Sequence, residues 1–136
     1  MEDDLINEPK EFYNSERDFT SLVEWQKCRD VKLFFYNKIL RHLPKEEKHN
    51  LDFQIRKASV SSTANIAEGY GRFHYQEGIQ FYRISWASLY ELKDHPLSCF
   101  DLNFIDETLK KEGEFLIEDA KKTLNGYINF VKSQKA

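Results

Sequence analysis

Asn65 and Glu68 stand three residues apart in a stretch of small side chains, residues 51–72, and are the polar groups best placed to act inside a fold. A carboxylate taken out of water must find partners or change its pKa. Catalysis asks for more. No second acid, nucleophile–base pair or phosphate-cradling loop accompanies Glu68. The expected role is structural. Asn65 and Glu68 bond to backbone or to a cation across the fold, with Arg56 or Arg72 as counter-ion, and Gly69 closes the polar group.

Metal chemistry has a similar threshold. A di-iron centre in a helical bundle needs a Glu-x-x-His motif on each of two helices plus two further glutamates. Glu46-Glu47-Lys48-His49 supplies the motif once. Glu91 and His95 are four apart, but Pro96 is expected to disrupt their turn, and His42 and His74 have no such partner. No metal, no other cofactor and no catalytic residue is expected. Cys28 and Cys99 stand alone, without metal spacing, and read as buried free thiols of a reducing compartment.

Cations offer a different chemistry. Residues 27–72 hold ten Lys and Arg against five acids. Lys27, Lys32, Lys38, Arg41, Arg56, Lys57 and Arg72 are candidates for contacting an RNA or DNA backbone, with Lys45 and Lys48 beside them. Such contacts are salt-sensitive and carry little sequence information. The whole chain is not basic. Its net charge is −3, and residues 1–18 hold seven acids against two bases, an acidic leader that would compete for the same surface.

Positioning any of these groups falls to helices. The 136 residues include only three prolines and five glycines, and the apolar spacing is mostly three or four. One all-α domain follows. The longest wholly apolar run is residues 33–36, against the ~20 residues of a membrane span. Acids follow Met1 at once, where a signal peptide would be apolar. A cytoplasmic protein with no membrane partner and no evident small-molecule substrate is expected. Residues 1–18 read as a loosely ordered leader with Phe12 and Tyr13 as anchors, and 19–136 as a four-helix bundle.

The first helix is expected over 21–42, with Ser21 as N-cap and Glu24 completing a capping box. Trp25, Cys28, Val31 or Lys32, Phe35, Ile39 and His42 mark one face, leaving Phe34 and Tyr36 outside. Leu43-Pro44 ends it. The second begins between 46 and 50 and stops at Gly69-Tyr70-Gly71, where glycine can take the left-handed C-cap. Leu51, Ile55, Ala58, Ser62, Asn65 and Gly69, flanked by Ser59, Val60, Ala64 and Ala67, give it a small-residue face and make it the inner helix. The third runs from about 75 to 94, with a stop or kink at Pro96. The fourth, 105–132, starts at Asn103 as N-cap. Short links make the bundle antiparallel, up-down-up-down. The aromatics exceed what one seam can bury, so Phe34, Tyr36, Tyr82, Tyr90 and Phe115 are candidates for subunit contacts.

Several motifs in this framework resemble a known family. They are Val23-Glu24-Trp25-Gln26-Lys27, Leu43-Pro44-Lys45-Glu46-Glu47, Gln54-Ile55-Arg56-Lys57-Ala58-Ser59-Val60-Ser61, and Asn65-Ile66-Ala67-Glu68-Gly69 with Gly71-Arg72. Phe81, Ser88, Leu89, Glu91 and Leu92 continue the pattern. Together they are similar to the 23S rRNA intervening-sequence proteins, bacterial four-helix-bundle proteins, over about two-thirds of the chain. The resemblance implies a left-handed up-down bundle and a cyclic homo-oligomer, a pentamer, and implies no reaction. A distant relative class serves diversity-generating retroelements, where a basic pentameric bundle binds nucleic acid and a reverse transcriptase. This chain departs from the family at Ser62-Thr63, where Ile-Pro is common, and at Pro96. The expected function is a non-enzymatic oligomeric scaffold. The alternative is a nucleic-acid-binding accessory protein.

Overall fold

A computed structural model describes residues 18–134. The leader, with Phe12 and Tyr13, lies outside the described residues except for Asp18. Four helices carry the fold, and there are no strands among the described residues. A short 3-10 turn, Phe19–Ser21, leads into α1, Val23–Phe34. The helix continues as a π-turn, Phe35–Ile39, and a 3-10 turn, Leu40–His42. After a further 3-10 turn, Lys45–Glu47, come α2, Leu51–Gly71, α3, Tyr75–Asp101, and α4, Glu107–Lys132.

Paired residues show how the helices run. Ser62 meets Ser85 and Ser61 meets Ser88, so α2 and α3 are antiparallel. Tyr82 meets Tyr127, and Lys93 meets Glu118, which sets α4 against α3. Lys27 reaches Asp119 and Lys38 reaches Glu112, closing α1 against α4. Each pairing advances in opposite directions along its two helices.

A π-turn begins at the second of two adjacent aromatics, Phe34 and Phe35, and sets which residues beyond them face the core. An α-helix turns its neighbours about 100° apart, so Phe34 and Phe35 could not share one narrow seam. Leu40 N–H bonds to Phe35 O, five residues back, and the wider turn rotates the residues beyond it. Phe34, Phe35, Ile39 and Leu40 are all buried. Phe34 is therefore core, contrary to expectation, and packs edge-on to Phe35 at 5.4 Å. It fits because α4 carries Gly113, where a Cβ would lie 2.8 Å from the Phe34 ring.

Proline does not stop α3. The helix runs on to Asp101, with Pro96 buried and its Cγ 3.6 Å from where a Gly113 Cβ would be. A mid-helix proline loses a backbone bond, and here its ring is covered by packing instead. The helix ends five residues later. Asn103 takes φ 66°, its N–H bonds to Phe100 O, and Phe104 N–H bonds to Cys99 O. This is a Schellman C-cap with asparagine in the left-handed position. Asn103 thus ends α3 and does not cap α4. Asp106 caps α4, accepting from Leu109 N at 2.8 Å.

Glycine also departs from its expected role. No glycine here has positive φ, and Phe73, at φ 59°, makes the turn after α2. Gly69 serves close approach. A Cβ there would meet Tyr82 Cε1 at 2.6 Å, Gly78 O at 3.0 Å and Phe81 Cβ at 3.1 Å. Gly78, facing it from α3, is also crowded, with Tyr82 Cε2 3.0 Å from where a Cβ would be. Tyr82 is wedged there and wholly inside the protomer, so it offers no surface for a second subunit.

Candidate functional site

The inner face of α2 is polar as well as small. Ile55, Ala58, Ser59, Ser62, Thr63, Ile66, Gly69 and Tyr70 are buried, while Val60 and Ala64 turn outward. Ser62 Oγ donates to Ser59 O at 2.8 Å, and Ser85 Oγ from α3 donates to Ser62 O at 2.6 Å. Cys28 Sγ lies 4.0 Å from Ser85 Oγ. Lys32 Nζ donates to Thr63 Oγ1 at 3.2 Å. These bonds satisfy groups that would be costly to bury alone and fix the register of three helices. Burial pushes the Cys28 thiol up to about 12 and the Cys99 thiol up to about 11. Neither is a nucleophile at neutral pH.

Asn65 extends this network to the half-buried edge. Its Nδ2 donates to Ser61 O and Ser61 Oγ, and Ser88 Oγ donates to Ser61 Oγ at 2.8 Å. Glu68 does not join it. The carboxylate is exposed and pairs with Arg72 one turn on, at 2.8 Å. Rotation from Asn65 by three residues along α2 is enough to carry Glu68 off the seam. Arg72 also lies over the Phe81 ring at 4.8 Å.

The buried carboxylate is Glu24. Leu22, not Ser21, occupies the N-cap of α1 and makes no side-chain bond, while Ser21 Oγ donates back to Asp18 O. Glu24 turns inward, 5% exposed, and its Oε2 has no hydrogen-bond partner. Burial without a cation pushes its pKa up to about 7. The capping-box pattern masked a second signal. Glu24, Cys28, Val31 and Phe35 recur at four, three and four residues, the spacing of the inner face.

The nominated cations are mostly engaged. Lys27 pairs with Asp119 at 2.6 Å, Lys38 with Glu112 at 2.8 Å, and Arg56 with Asp52 at 2.6 Å. Arg56 also lies over the half-buried Tyr36 ring at 5.1 Å. Arg41 and Lys57 are exposed. Lys38, Arg41 and His42 line a hollow of about 570 Å³ at the end of α1, with Asn103 and Asp106 across it. Tyr90 and Phe115 are exposed as expected, Phe115 at 71%.

Glu91 and His95 do meet, at 3.1 Å, because α3 stays helical through Pro96. One carboxylate and one imidazole do not make a centre. No group of three or more His, Cys, Asp or Glu placed to hold a metal occurs among the described residues. Nor is any helix there long and apolar enough to cross a membrane.

The family model described as 23S rRNA-intervening sequence protein matches residues 20–126. The chain belongs to this family. No curated protein matches it. In this intervening-sequence protein the matched stretch contains Glu24, the Ser62–Ser85 seam, the Gly69–Gly78 contact and the Phe34–Gly113 contact. It ends before the last turn and a half of α4.

Proposed function

We propose that the protein works without catalysis, as a scaffold assembled from copies of itself. The observation that carries this reading is the outer face of α2. Phe53, Lys57, Val60 and Ala64 follow at four, three and four residues and are all exposed. Only one charge breaks this apolar stripe, a composition that marks contact surfaces. Tyr90 and Phe115 add exposed aromatic surface on α3 and α4. The family resemblance gives a ring of five as the expected assembly, and the free buried cysteines fit a cytoplasmic location. Light scattering at micromolar concentration should give a multiple of the 16.2 kDa chain mass. Val60→Asp should lower that mass by placing a carboxylate in the contact. A strict monomer would overturn the reading.

Nucleic-acid binding is the second reading. Arg41 and Lys57 favour it, being exposed and without a carboxylate partner among the described residues. Filter binding to structured RNA should weaken steeply as salt is raised. Absence of binding at low salt would end it.

A further inference from the structure

We propose that α3 and α4 hold a site for a nucleotide, a nucleobase carrying phosphate, built from residues outside the cations nominated on α1 and α2. A hollow of about 230 Å³ opens between the two helices. Arg83 and Trp86, three apart on α3, line one wall. Asn125, Asn129 and Lys132, at spacings of four and three on α4, line the other, with buried Ile128 beside them. Both walls are regular helix, so the groups keep their spacing. The Trp86 indole is held in place. Tyr90 stacks with it, ring centres 5.4 Å apart and planes 22° apart, and Lys121 Nζ stands 5.0 Å from its centre.

Three chemistries meet in this hollow. The half-buried indole, covered on one side by Tyr90, lines the hollow with a ring of the kind on which bases stack. Each carboxamide supplies a donor and an acceptor, the complement of a base edge. Arg83 and Lys132 are exposed, have no carboxylate partner among the described residues, and share a lining that contains no acid. They suit a phosphate. A simple anion would leave the indole and amides unused, and an apolar ligand would leave the cations unused. A nucleotide engages all three. Its source is either a free mononucleotide or one nucleotide of a single strand. The strand case rests on the second reading above, whereas the free-nucleotide case stands apart from it.

The test uses the full chain with Trp25→Phe, which leaves Trp86 as the only tryptophan. One arm titrates it with adenosine 5′-monophosphate. The other uses an end-labelled single-stranded oligoadenylate, whose anisotropy reports binding anywhere on the protein. Quenching of Trp86 is expected in both arms. Asn125→Asp combined with Asn129→Asp changes two exposed side chains and puts like charge against the phosphate. It should weaken both responses by about tenfold or more, with an unchanged circular dichroism spectrum. Quenching by the mononucleotide alone, without an anisotropy rise, keeps the site and removes the second reading. An anisotropy rise without quenching, indifferent to the asparagine changes, keeps the second reading and overturns the site. Silence in both arms overturns both.

Discussion

Glu24→Gln should favour the folded state by about 2–3 kcal/mol more at pH 8 than at pH 5. The Glu24 carboxyl is pushed from an ordinary 4.5 up to about 7 because it is buried with no cation beside it. Between those values the folded chain holds a proton that the unfolded chain has released. The associated stability is fully present below about pH 4.5 and is lost as pH rises through about 7. A shift of this size corresponds to about 3 kcal/mol. Glutamine cannot ionise, so its chain should lack that slope. It must still bury an amide, but that cost does not vary with pH. Other titrating groups are common to both proteins and cancel in the difference. Urea denaturation of each protein at pH 5, 6, 7 and 8 measures it. A gap between them that is the same at pH 5 and pH 8 would show that Glu24 is already ionised in the fold.

Gly69→Ala should destabilise the bundle by up to about 2 kcal/mol, although alanine is the better helix former. The favourable part is about 1 kcal/mol of helix propensity. Against it stands an added methyl 2.6 Å from the Tyr82 ring and 3.0 Å from a backbone oxygen of α3. The ring is itself wedged against Gly78, so neither neighbour yields easily. Overpacking of this kind costs about 1–3 kcal/mol. Gly71→Ala provides the control. It lies two residues on, with nothing within 4 Å and no positive φ. It should be neutral or stabilising by up to about 1 kcal/mol. Thermal melts at one protein concentration separate the two, at about 4 °C per kcal/mol. Equal melting temperatures for the two variants would mean that α2 and α3 can part at Gly69 without loss.

Much of the fold was legible from spacing. The small-residue face placed α2 against its neighbours, and Ile55, Ala58, Ser62 and Gly69 are indeed inside. Asn65 shares that spacing, and its half-buried amide bonds to Ser61 O and Ser61 Oγ one turn back on α2. The misreadings came from residues that satisfy two patterns at once. Glu24 fits a capping box and an inner-face register, and only packing decides between them. Gly69 can end a helix or admit a ring, and the ring came from α3. Phe34 and Phe35 lie about 100° apart on an α-helix, and nothing local announces that Gly113 on α4 leaves room for the Phe34 ring. The hollow beside Trp86 was not legible at all. Arg83 and Lys132 are brought near each other by helix packing alone, and no local spacing connects them.

The pairing of first helix with last has a consequence for how the chain is made. Lys27 finds its acid on Asp119, and Phe34 finds its seat at Gly113. The second and third helices can close on each other as soon as both have left the ribosome, through Gly69, Gly78 and the serine bonds. The first cannot be completed until the final segment emerges. For most of its synthesis the nascent polypeptide therefore carries an uncovered Phe34, which is the interval when a chaperone, or a neighbouring copy on the same message, has access to it.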